Sequence, residues 1–388
     1  MKLDFEYIVL GLGGFGSAAA YWLARRAGTE VLGLEQFELG HVRGESQDHS
    51  RIIRLSYHTP GYVELARHAY VAWRELERDA GEQVLLRTGG LDLGPRQSAI
   101  DLDTYSDSMD AAGVEYERLD AGEIMRRWPQ WNLTDDIHGL FQEQSGIAMA
   151  ARGNAAHLRM AREHGATLGD RTPVDQIRPL GGEVEVRTAE ATYRCRRLVI
   201  TAGAWSNRVL AALGVDLPLT VTKEQVTYFA SPTPDAFQPE RFPIWIWMDD
   251  PCFYGFPIFG EAGPKAGQDA GGRETTADTR TFEPDQEALD RVVRFLERHL
   301  PGALGPIIYT RTCLYTLTPD RDFVLDLMPE YPGIAVAIGG GHGFKFASLI
   351  GRILSDLSID GRSPRDLAAF RIDRPILRMK DPPRNYLV

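Results

Sequence analysis

The chain has only three cysteines among its 388 residues, Cys195, Cys252 and Cys313, and none lies in a CxxC pair. So small and scattered a set excludes a disulfide framework and a paired-cysteine zinc site, and it suits a reducing, cytoplasmic compartment. No metal site is expected. Long runs of Lys or Arg are also missing, and the net charge of -11 would repel a phosphate backbone, so nucleic acid is not an expected partner. Uncharged stretches are equally scarce. The one from Tyr7 to Ala24 is broken by glycines and preceded by the mixed charges Lys2, Asp4 and Glu6. It reads as neither an export signal nor a membrane span. The C-terminal Tyr386-Leu387-Val388 is not the peroxisomal address. There are no repeats and no low-complexity segments. What remains is an ordinary globular mixture, 43% hydrophobic and 25% charged, long enough for two domains and a large core.

The N-terminus is the most legible part. Tyr7 to Leu10 is a short apolar strand, GLGGFG (Gly11 to Gly16) follows at once, Ser17 to Arg26 is Ala-rich and helical, and Val31 to Leu34 is a second strand ended by Glu35. This is a βαβ unit with a dinucleotide-binding turn. Gly11 makes the tight turn, Gly13 lets the backbone approach a pyrophosphate, and Gly16 allows close packing of helix on strand. The free N–H groups of the helix start favour an anion. Glu35 can accept a hydrogen bond from a ribose hydroxyl. The motif alone does not choose between NAD and FAD.

Further on, residues 36 to 57 form a long irregular segment containing Arg51 and Arg54 around an Ile pair. At least one of these arginines is expected to point inward, where it needs an anion. Both could instead lie on a strand edge. Tyr62 to Asp79 has the stripe of an amphipathic helix (Tyr62, Leu65, Ala69, Trp73, Leu76), which leaves His68 exposed. A strand is expected at TGGLDLG, a short helix ended by Pro129, and a helix near Asn154 to His164. Leu198 to Thr201 is a buried strand running into Ala202-Gly203-Ala204 and a helix, another turn suited to passing close to a cofactor. IWIWMDDPCFYGFPIFG is aromatic and strand-like, and EAGPKAGQDAGGRE reads as a flexible loop carrying Lys265. Pro284 opens a helix with the stripe Leu289, Val292, Val293 and Leu296. Near the end, the strand Ile334 to Ile338 meets Gly339-Gly340-Gly341 and then a helix burying Phe346, Ile350, Ile353 and Leu354. Lys345 at the start of that helix opposes the dipole preference, so it should have another partner, such as a substrate carboxylate or a flavin oxygen.

Several of these pieces together resemble monomeric sarcosine oxidase and its relatives, the N-methyltryptophan and pipecolate oxidases, within the D-amino-acid-oxidase-like flavoproteins. The resemblance runs essentially end to end. It is carried by GLGGFG, SRIIR (Ser50 to Arg54), TGGLDLG, Trp128-Pro129, ITAGAW, YGFP (Tyr254 to Pro257), Cys313 with Tyr315 in CLYT, and GHGFKF (Gly341 to Phe346). It implies an α/β fold: a Rossmann-like FAD-binding domain of residues 1–85, 150–218 and 316–388, and an antiparallel-sheet substrate domain of residues 86–149 and 219–315. It implies FAD bonded to the sulfur of Cys313. FAD contacts are implied at Gly11, Gly13, Gly14, Phe15, Gly16, Glu35 and Gln36, at Arg43, Ser46, Ser50 and Arg51, at Val174, Ala202, Gly203 and Trp205, and at Gly341, Gly343 and Lys345. Arg54 and Lys345 would grip the substrate carboxylate, Arg51 would lie beside the flavin ring, and Lys265 would activate dioxygen. Tyr254 and Tyr315 would line the pocket, with Gln47, Trp245 and Asp269 among the substrate-side residues.

Departures from the pattern fall on the pocket rim. Gln47 and Asp269 stand where sarcosine oxidase has histidines, and the turn reads AIGGGHG. The implied reaction is oxidation of the C–N bond of a secondary amino acid, N-methylated, N-alkylated or cyclic, to an imine or aldehyde and hydrogen peroxide. The enzyme is expected to be a monomer off the membrane, with a small amino acid and dioxygen as its partners. Three other readings stay open: a dehydrogenase of the same fold with another electron acceptor, an NAD-dependent dehydrogenase, and a non-catalytic flavin-binding protein.

Overall fold

A computed structural model describes residues 2–385, so the C-terminal tripeptide lies outside the described residues. The apolar strand Asp4–Leu10 is central to an eight-stranded sheet. It pairs in parallel with Val31–Leu34 on one side and with Thr192–Ile200 on the other. Thr167–Gly169 extends the parallel set beyond Val31–Leu34, and Tyr331–Ile338 pairs in parallel with the C-terminal half of Thr192–Ile200. Such strands are buried on both faces and therefore read as continuous apolar runs. Residues Ile8, Val9, Leu198, Val199, Ile334 and Val336 are fully buried. The helices Gly14–Ala27, Ala150–Glu163 and Ala347–Asp360 pack together against this sheet.

Two glycines in the first turn are required by the backbone. Gly11 has φ +84°, and a Cβ there would lie 2.6 Å from the Thr201 carbonyl oxygen. A Cβ on Gly16 would lie 1.7 Å from the Gly11 oxygen, so the helix could not approach the strand as it does.

The second sheet has nine strands and is mostly antiparallel, in the order Arg273–Glu274, Thr220–Phe229, Lys265–Gln268, Phe253–Phe256, Ile244–Trp247, Gly90–Pro95, Ile137–Gln142, Glu117–Asp120, with Ile307–Leu317 also on Thr220–Phe229. Strand alternation decides which side chains face which core. In Ile244–Trp247, Trp245 and Trp247 pack with Phe295 of the helix Gln286–His299, while Ile244 and Ile246 join the opposite core. A three-stranded sheet of Ser50–Ile53, Gly146–Met149 and Leu85–Arg87 lies apart from both.

The stripe expected over Tyr62 to Asp79 is the helix Pro60–Ala80, capped by Thr59, with all five stripe residues buried and His68 exposed. The expected flexible loop around Lys265 is instead a strand, hydrogen-bonded on both edges, with Tyr228 and Phe256 opposite the lysine. Its glycine and alanine content suggested a loop. Here the small residues let a strand fit between two others, with the Tyr254 hydroxyl 3.2 Å from where a Cβ on Gly267 would sit. Among the described residues no helix is long and apolar enough to cross a membrane.

Candidate active site

A cavity of about 430 Å³ is lined by the first glycine turn and by Tyr57, Tyr254 and Tyr315. At one end it is lined by Gly11, Gly13, Gly14 and Phe15, where the helix Gly14–Ala27 begins with no side-chain cap and no acid in its first turn. Its leading N–H groups are therefore left for an anion, apart from that of Gly14, which donates to Ser46 Oγ at 2.8 Å. Glu35 lies 5% exposed beside them. Its Oε2 accepts from Leu12 N at 2.9 Å and its Oε1 from Phe37 N at 3.0 Å. Burial opposes the charge of Glu35, but these bonds and nearby His41 hold its carboxyl below the usual range. Each oxygen keeps acceptor capacity toward the cavity. Gln36, Ser46, Val174, Ala202, Gly203 and Trp205 complete this end.

The other end is crowded with cations. Arg51 lines the wall and donates to the carbonyls of Glu45 (2.8 Å) and Ser50 (2.9 Å). Arg54 is 4% exposed and paired through NH1 with Asp92 Oδ2 at 3.0 Å, while its buried Nε has no hydrogen-bond partner among the described residues. Lys345 lines the same end on the turn Gly343–Phe346, which Trp73 Nε1 fixes by donating to the Lys345 carbonyl at 2.7 Å. Among the described residues Lys345 has no ion-pair partner within 4 Å. Its ammonium lies over the Tyr57 ring at 5.8 Å, and burial with the Arg54 charge brings it down to about 7. Tyr254 and Tyr315 face this space, as does Asp269, which Arg321 holds at 2.7 Å while donating through Nε to the Gly340 carbonyl.

Cys313 lies two residues before Tyr315 on the strand Ile307–Leu317 and so shares its face. It is buried and free, behind the cavity lining. Burial pushes its thiol up to about 11, against the opposing pull of Arg51. Gly341 and Gly343 bring the last turn against the site; a Cβ on Gly341 would strike the Tyr315 ring.

Several expected site residues stand elsewhere. Trp245 is 1% exposed and faces the aromatic core, because on a strand the neighbouring Ile246 takes the cavity side. Gln47 is not in the lining. It bridges the Thr312 carbonyl (2.7 Å) and Arg311 (2.8 Å), so it anchors the strand that carries Cys313. Arg43 is exposed and stacked over Phe37 at 4.9 Å. Gly16 and Ser50 lie behind the wall. So does Lys265, 2% exposed and paired with Asp48.

Asp92, Asp48, Arg321, Tyr57 and Ile246 escaped the reading of the sequence. Asp92 had a signal, a lone acid inside the apolar strand GLDLG, which demands a buried partner. The Asp48 and Arg321 pairings join residues more than fifty positions apart and leave no local trace.

With that geometry in place, the comparisons agree. Residues 6–357 match the family described as DAO, FAD dependent oxidoreductase. The chain is 36% identical to the monomeric sarcosine oxidase of Streptomyces avermitilis, covering 95% of this chain and 97% of that one. It is 31% identical to the N-methyl-L-tryptophan oxidase of Escherichia coli, covering 96% and 100%. Among solved structures, the open form of NikD, an amino acid oxidase essential for nikkomycin biosynthesis, superposes with TM-score 0.84 at 27% identity, over 95% of this chain and 98% of that one. The uncapped glycine turn, the acid at the end of the second strand and the length of the match together place this chain in the DAO family of FAD-dependent oxidoreductases.

Proposed function

We propose that the chain oxidises the C–N bond of a secondary amino acid, N-methylated, N-alkylated or cyclic, giving an imine or aldehyde and hydrogen peroxide. The observation that carries this reading is the convergence of Arg54 and Lys345, with Tyr254 and Tyr315, at the end of the cavity away from the dinucleotide turn. Two cations at one end suit a carboxylate, and holding it there orients the rest of a small amino acid. The names of the sarcosine and N-methyl-L-tryptophan oxidases support the substrate class.

The residues present fit FAD. The helix start and Ser46 would hold its pyrophosphate, Glu35 its ribose, and Ala202, Gly203 and Trp205 the flanking wall, on the parallel sheet read as the FAD-binding domain. Bound there, FAD supplies a two-electron acceptor for the C–H bond beside nitrogen and a donor to dioxygen. Cys313 is the proposed covalent tether, and neighbouring Arg51 favours its thiolate. The amine must react unprotonated, and the charges of Arg51, Arg54 and Lys345 disfavour its ammonium form. Lys265 is the proposed cation for the oxygen step. The nine-stranded sheet supplies Tyr254 and Tyr315, and the turn after its strand Lys265–Gln268 supplies Asp269; all three line the pocket and suit a substrate domain.

Anaerobic bleaching of the flavin tests the substrate class, using sarcosine, N-methyl aromatic amino acids, pipecolate, proline and sugar-derived amines. Bleaching by one or more acid-bearing secondary amines is expected. Bleaching by primary amines alone refutes the reading. Intact mass of acid-denatured wild type against Cys313→Ala tests the tether, with the flavin mass expected on the wild type only.

A further inference from the structure

Lys265 and Asp48 form a buried pair with unusual features. Lys265 Nζ donates to Asp48 Oδ2 at 3.0 Å and to the Ser50 carbonyl at 3.0 Å, and lies 4.2 Å from the centre of the Phe256 ring. The Tyr228 hydroxyl reaches both Asp48 oxygens, at 3.0 and 3.1 Å. The two side chains are 2% and 3% exposed. Asp48 also holds φ +80°, in the left-handed region that favours glycine. A carboxylate kept in a strained backbone, buried and satisfied on both oxygens, is a costly arrangement. Without Asp48, Lys265 would be an unpaired cation beside Arg51 in an apolar setting.

We propose that Asp48 is a positioning residue for the oxygen step: it fixes Lys265 behind Arg51, keeps it charged, and offsets that charge as felt in the cavity. The proposal rests on Lys265 being the oxygen-step cation, as read above. It follows that Asp48 exchanges peak rate for constancy. The paired lysine stays protonated to higher pH than an unpaired one would, but acts as a muted cation. The charged and titratable groups facing it are Asp48 and Arg51 from the preceding loop and strand, Tyr228 from one adjoining strand with Cys313 on the strand beyond it, and Tyr254 from the other adjoining strand. With Asp48 in place, burial still brings the Lys265 ammonium down to about 8.

The test compares wild type, Asp48→Asn, Asp48→Gly and Lys265→Met as holoenzymes. Asp48→Gly removes the carboxylate while suiting φ +80°, so it keeps the test open if the asparagine variant folds poorly. Stopped-flow reoxidation by dioxygen is measured from pH 6 to 9 and divided by the anaerobic reduction rate constant at each pH. In both Asp48 variants the ratio should rise by roughly tenfold at the acid end, the worth of one unmasked charge acting over about 12 Å at an effective dielectric of ~20. It should fall below wild type at the alkaline end, so that the curves cross. Thermal unfolding of the Asp48→Asn/Lys265→Met double variant should lower Tm by less than the sum of the two single losses. Curves that superimpose on wild type, while Lys265→Met slows reoxidation, overturn the role of Asp48 alone. Unchanged reoxidation in Lys265→Met overturns the oxygen-step reading and this proposal with it. Additive Tm losses overturn the pairing.

Discussion

Carboxylate binding should depend on pH through Lys345. Burial and the adjacent Arg54 charge bring its ammonium down to about 7, so the free enzyme passes from a charged to a neutral lysine across the neutral range. A carboxylate ligand prefers the charged form. Its Kd should be constant below the lysine pKa and weaken by about tenfold per pH unit above it, levelling off once the raised pKa of the complex is passed. The folding consequence has a definite sign. A lysine whose folded pKa lies below its unfolded value of about 10.4 contributes stability at high pH, and that contribution is lost as pH falls toward 7. The assay is a titration of the flavin absorbance with a simple carboxylate lacking an amine, such as acetate, from pH 6 to 9; an amine would add its own titration to the curve. Lys345→Arg should flatten the profile by holding its charge throughout, and Lys345→Met should give weak binding at every pH. A wild-type Kd that does not change between pH 6 and 9 would refute the argument.

The Arg54–Asp92 pair and the two faces of the Ile244–Trp247 strand give further tests. Arg54→Ala should act mainly on KM. Asp92→Asn leaves a buried guanidinium without its counter-ion and should lose about 3–5 kcal/mol in denaturant unfolding, with a bound carboxylate restoring more Tm than it does in wild type. Trp245→Ala should cost about 3–5 kcal/mol through the aromatic core while leaving the order of preferred substrates as it was. Ile246→Ala should instead change that order in a KM survey at a smaller stability cost. If Trp245→Ala reorders the substrates, the facing of this strand is not as described.

The parallel sheet and its glycine turn were legible because local chemistry dictates them: an apolar strand, glycines at φ +84° and at a 1.7 Å approach, and a helix with no competing acid in its first turn. The tyrosines, Arg54 and Lys345 were legible through motif likeness, and the cavity brings them to one end. The rest depends on contacts between distant segments. Lys265 looked like loop because composition cannot reveal that two strands will flank it. Trp245 was misplaced by a single step of strand alternation, which no local pattern fixes when IWIW is apolar on both faces. Asp48 and Arg321 gain their partners only when the chain has folded.

The turn bearing Lys345 comes late in the chain, and the helix Ala347–Asp360 behind it packs on the very first helix, where a Cβ on Gly351 would collide with Ala18. Synthesis therefore delivers the glycine turn long before its closing wall. A nascent polypeptide stopped before residue 345 has neither the anionic ligand's lysine nor the helix that seats it. Assembly of a working enzyme must then wait until this helix has been made, and truncations that remove it should behave as all-or-none losses rather than graded ones.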